Sequence, residues 1–118
     1  VKVICTKLPL SPDGEPLESS PWITLHTEYH VVSVLAVPDG RVQLQIVDDS
    51  RSLGLFDSKY FVTVDGTVPD SWTVRIRERG VLDFAPTAWL APGFWEAYYD
   101  DDDPSAIEAV EAELRRLR

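Results

Sequence analysis

The segment His26-Thr27-Glu28-Tyr29-His30 is where the sequence first invites metal chemistry, since imidazole and carboxylate are zinc ligands. It does not match the helical order that places two histidines and a general base around one ion. On an extended strand the two imidazoles would share a face yet stand about 13 Å apart, too far for a single metal. His26-x-Glu28 also matches the first half of a zinc deaminase signature, but a chain with the single cysteine Cys5 cannot supply the required downstream pair. No metal site, catalytic set or cofactor is therefore expected, and no Ser/His/Asp arrangement or glycine-rich phosphate loop can be assembled.

Acidic residues form the more prominent feature. Glu96, Asp100, Asp101, Asp102 and Asp103 place five carboxylates within eight residues, and Asp48-Asp49 forms a second acidic point. An EF-hand loop would need glycine at its sixth position, where the run counted from Asp100 has Ser105. Two readings remain: contacts to a basic partner, or stabilisation of the N-terminus of a following helix. Arg75, Arg77 and Arg79 alternate along a strand and make a possible basic stripe, suited to a carboxylate-bearing ligand or simply to a solvated sheet face. The four tryptophans could line a pocket or pack the core.

Charge narrows the partners. With 11 Lys plus Arg against 20 Asp plus Glu, the net charge is -9. A phosphate backbone would be repelled, which argues against nucleic acid, whereas a basic protein surface would be steered inward. Cys5, between Ile4 and Thr6, reads as a small buried residue, and a lone thiol fits a reducing cytoplasm. No run approaches the roughly 20 apolar residues of a membrane helix, so no membrane association is expected. Oligomeric state is not encoded in any of these features.

The elements that must position these groups are mostly strands. A chain of 118 residues with 44% hydrophobic side chains is one domain with one sizeable core. Val1 to Thr6 is β-rich, and 10–21 is a proline-rich loop. Within 22–85, the run to Val37 turns at Pro38-Asp39-Gly40 and returns as Arg41 to Val47, with Val42, Leu44 and Ile46 on one face. Leu53 to Phe56 and Tyr60 to Val64 follow as short strands. After the turn Val68-Pro69-Asp70-Ser71-Trp72, a strand from Trp72 to Arg79 pairs across Gly80 with Val81 to Ala85. Strands at this spacing, with no helices between them, predict a small antiparallel SH3-like barrel of five to seven strands.

The segment 86–103 is aromatic and acidic and predicts short turns packed on the barrel. Asp103-Pro104 is an N-cap with proline at the first helical position. Ala106, Ile107, Val110, Leu114 and Leu117 then define an amphipathic C-terminal helix over 104–118. Glu111 precedes Arg115 by four residues, as an ion pair along the helix would.

Leu25 with Tyr29 and Val31, Ile46-Val47-Asp48-Asp49, Phe61, Val68 to Trp72, and Gly93-Phe94-Trp95-Glu96 before a helix together make a pattern. It resembles small bacterial proteins with an SH3-like barrel and a C-terminal helix, some similar to immunity proteins encoded beside polymorphic toxins. Such families commonly have Gly-Lys before the tyrosine, where this chain has Thr27-Glu28. The resemblance implies a non-enzymatic, cytoplasmic protein that neutralises a basic toxin by stoichiometric binding, with Asp48, Asp49, Glu96 and Asp100 to Asp103 as contacts. Two alternatives stay open: a peptide-binding or regulatory module with an aromatic surface, and a small-molecule enzyme built from Asp48, Asp49, His26 and Glu96.

Overall fold

In the computed structural model, which describes residues 1–15 and 17–117, the alternating segments form seven antiparallel strands. These are β1 (Lys2–Cys5), β2 (Glu28–Ala36), β3 (Val42–Val47), β4 (Leu53–Asp57), β5 (Phe61–Asp65), β6 (Trp72–Ile76) and β7 (Leu82–Pro86). Two helices, α1 (Phe94–Tyr99) and α2 (Pro104–Arg115), complete the chain. Pro16 of the proline-rich loop and Arg118 at the end of the expected helix lie outside the described residues.

β2 is the spine of the sheet. Its Val31–Ala36 portion pairs with β3, which pairs with β4. Along its other edge, Glu28–His30 pairs with β1 and Val34–Ala36 with β7. The sheet therefore forks into a β1–β5 branch and a β7–β6 branch. It does not close into a barrel: among the described residues β4, β5 and β6 each pair along one edge only. The expected strand alternation and C-terminal helix are present; the closure expected of an SH3-like barrel is not.

A register shift in β2 between Val31 and Ser33 lies where the branches diverge. Alternation sends Val31 and Val32 to opposite faces, both of them covered; the extra residue then leaves Ser33 on the same outer face as Val32 and returns Val34 to the inner core. Val31 and Val32 are 1% and 4% exposed and belong to different cores. Val31 packs inside the curved sheet with Val3, Cys5, Ile23, Tyr29, Leu44, Ile46 and Phe61. Val32 packs on the outer face with Ala85, Trp89, Phe94, Ala106 and Val110. Val110, fully buried, contributes about 2 kcal/mol to holding α2 against the sheet.

Turn chemistry follows the sequence at both hairpins. Gly40 takes φ 92° between β2 and β3, a left-handed conformation that glycine adopts without a Cβ clash. Between β6 and β7, Arg79 stands at φ 65° in a short 3-10 turn. The expected strand through Arg79 ends at Ile76, so Arg79 is not on the face shared by Arg75 and Arg77. Asp103 caps α2, its side chain accepting the Ser105 amide at 2.8 Å, with Pro104 next. Arg115 pairs with Glu108 instead of the expected Glu111.

Candidate functional site

The outer face of the sheet brings together Arg75, Arg77, Trp89, Trp95 and Glu96 of the candidates. Alternation places Ser33 and Leu35 of β2, Gln45 of β3, Leu55 of β4, Arg75 of β6 and Asp83 of β7 along it. The strand registers align Ser33 with Gln45 and Leu55, and Leu35 with Asp83 and Arg75. These residues, with Trp89, Trp95, Glu96 and Tyr99, line a groove of about 490 Å³.

One end of this groove is cationic. Asp83, 14% exposed at its side chain, is shared by two guanidiniums: Arg75 Nη2 lies 3.1 Å and Arg77 Nε 2.8 Å from Asp83 Oδ2. Arg75 also donates through Nη1 to the Leu90 carbonyl. One carboxylate between two guanidiniums leaves a net positive charge in an otherwise acidic protein. The basic stripe expected from spacing is thus a pair, Arg75 and Arg77, anchored by an acid eight residues along the chain from the first. That acid carries no sequence signal beyond its position in a hairpin partner strand.

The groove floor and wall supply other polar groups. Ser33 Oγ donates to Gln45 Oε1 at 2.6 Å, which leaves the Gln45 amide N–H groups without an acceptor among the described residues. Trp89 is 2% exposed, and its Nε1 is the one buried side-chain donor without an acceptor among the described residues. Trp95 stacks on Tyr99, with ring centroids 5.5 Å apart, and Tyr99 is 56% exposed. Burial of part of its ring, and then the neighbouring Tyr98, raise the Tyr99 phenol above its ordinary pKa. Of the four tryptophans, Trp72, Trp89 and Trp95 pack into or against the cores, while Trp22 is 52% exposed.

Carboxylates at the α1–α2 corner continue from the groove rim. Glu96, Asp100, Asp101 and Asp102 are exposed. None of the four side chains has a hydrogen-bonding or ion-pair partner among the described residues. Asp102 holds a left-handed φ of 49°, which reverses the chain into α2. Asp103 differs from its neighbours, because its Oδ1 accepts both the Ser105 amide and hydroxyl. Those bonds hold its carboxyl below the usual carboxylate range.

Asp48 and Asp49 do other work. Asp48 is buried, and its Oδ1 accepts from the Ser50 amide, the Ser50 hydroxyl and the Ser52 amide, which organises the β3–β4 turn. Its carboxylate is turned inward and is not available to a partner surface. Asp49 is exposed, but it accepts from Tyr29 Oη at 2.7 Å and Thr24 Oγ1 at 2.8 Å. His26 occupies a turn before β2 at φ 64°, so it shares no strand face with His30. The groove that Glu96 lines contains none of Asp48, Asp49 and His26, and the enzyme grouping of these four is not brought together.

No helix among the described residues is long and apolar enough to cross a membrane. Comparison with protein-family models, curated proteins and solved structures finds no match to the chain.

Proposed function

We propose that the chain is a non-enzymatic protein-binding module of immunity type, which neutralises a basic partner, such as a cognate toxin, by stoichiometric binding in the cytoplasm. The observation that carries the reading is the α1–α2 corner. There, four exposed carboxylates with no partner among the described residues stand beside the exposed Tyr99 ring. Solvated acids at an interface rim accelerate encounter with a basic surface, and a half-exposed aromatic beside them supplies apolar contact area. The net charge of -9 adds to the same field. The partner class follows the resemblance of the sequence pattern to immunity proteins, an analogy and not a property of the site.

The partner contacts in this reading are Glu96, Asp100, Asp101 and Asp102 with Tyr99. Asp48 drops out because its carboxylate is consumed inside its own turn, and Asp103 because it caps α2. The test is co-purification with the product of the neighbouring gene, followed by titration of that product's activity with this chain. Loss of activity ending at a 1:1 ratio supports the reading. A combined Glu96→Gln, Asp100→Asn, Asp101→Asn, Asp102→Asn variant should bind at least about tenfold more weakly, with a reduced salt dependence. A folded variant that binds as tightly as the native chain overturns the assignment of this corner.

A further inference from the structure

We infer that the outer-face groove is a binding site for a small monocarboxylate with an apolar body, a site distinct in chemistry from the acidic corner. Three observations converge on it. Its volume of about 490 Å³ is in the range of ligand pockets, which combine apolar walls with a few placed polar groups. Its walls are aliphatic and aromatic, with Leu35, Leu55, Trp95 and Tyr99 able to hold a ring or short chain. Its unmet hydrogen-bonding capacity is on the donor side.

That donor excess decides the class of ligand. Asp83 accepts from two guanidiniums and has little capacity left. Arg77 is 44% exposed at its side chain, and its Nη1 has no acceptor among the described residues. The Gln45 amide is likewise unmatched among the described residues, and Trp89 adds ring surface to the wall. A carboxylate completes such a set, because guanidinium and amide donors bond it at charge-assisted strength. A cation finds Glu96 as the one acid of the described lining not already ion-paired, and beside it only the neutral oxygens of Ser33 and Gln45, while Arg75 and Arg77 repel it.

The test is a ¹⁵N–¹H NMR titration of the full chain with 3-phenylpropionate, against its neutral analogue 3-phenylpropanol and the cation 3-phenylpropylammonium. The expected result is saturable binding of the carboxylate, with shifts at the Trp89 and Trp95 indoles and the Gln45 side-chain amide. The alcohol should bind roughly tenfold more weakly, the size of effect a hydrogen bond to a charged group has. Arg77→Gln should weaken the carboxylate by a similar factor while Arg75 keeps Asp83 paired. Glu96→Gln should tighten it by removing a like charge from the rim. Equal affinity for acid and alcohol, tighter binding of the ammonium, or an unchanged Arg77→Gln variant overturns the proposal. A C-terminal peptide carboxylate binding where 3-phenylpropionate does not also overturns it, in favour of a peptide reader.

Discussion

The Tyr29 hydroxyl donates to Asp49 Oδ1 at 2.7 Å while accepting the Thr24 amide at the same distance. Thr24 Oγ1 closes the triangle on Asp49 Oδ2. A buried ring in β2 thus fastens the 22–24 segment to the end of β3, and this seats Ile23, which is fully buried, in the inner core. Asp49, which from sequence alone could serve a partner, serves this junction.

Tyr29→Phe should lower stability by about 1–3 kcal/mol, since it strands the Thr24 amide and one Asp49 oxygen while keeping the ring. Denaturant unfolding measures the loss, and amide exchange should accelerate at Thr24 first. Unchanged protection there would mean that the junction is held by Ile23 packing alone.

Alkaline titration offers a second reading of the same site. Burial, and then the Asp49 carboxylate that its proton faces, raise the Tyr29 phenol above its ordinary value near 10. The fold favours the protonated form, so this contribution to stability is present below pH 10 and is lost as pH rises through the folded-state value. Tyr29→Phe should flatten the alkaline limb of the stability profile, and ultraviolet difference spectra should lose one of the two late-appearing tyrosinates, the other being Tyr99.

Gly54→Ala should destabilise by about 1–3 kcal/mol through overpacking. A Cβ at Gly54 would lie 2.7 Å from Phe56 Cε2 and 3.0 Å from Asp48 Oδ2, so an inner-core ring and a satisfied buried carboxylate would both have to shift. If thermal unfolding of the variant matches the native chain, β4 is looser than its pairing with β3 indicates.

His30 gives the acid-side prediction. Burial first, then Lys2 across the β1 pairing, lower its pKa from 6.5, and Glu28 opposes them. Arg51 and Glu111 share the small cavity that it lines. The unfolded chain takes up the proton first, so stability is present above pH 6.5 and is lost as pH falls through the folded-state value. His30→Gln should remove that slope. Histidine chemical shifts followed against pH should place the His30 midpoint below 6.5, and a higher midpoint would contradict the burial argument.

Much of the secondary structure was legible from local chemistry. Alternation of Val42, Leu44 and Ile46 marked the buried face of β3, Pro38-Asp39-Gly40 its hairpin turn, and Asp103-Pro104 the start of α2. These signals lie within a few residues of what they determine, because side-chain period, backbone dihedral preference and capping are local properties.

The site was less legible, because it depends on which strand edges meet. Arg75 and Arg77 looked like an unopposed stripe until the β6–β7 register set Asp83 opposite Arg75. The four acids Asp100 to Asp103 were equivalent in sequence, yet one caps a helix and three face solvent. The packing of Trp89, Phe94 and α2 on the outer face gave the sheet a second buried side, and the pairing of β2 with both β1 and β7 along one edge forked it instead of closing it as a barrel. By itself the sequence determined the strands, their turns and the final helix. Only the tertiary structure decided which acids are satisfied and which stay available, since a carboxylate's partners are fixed by long-range pairing that no single segment encodes.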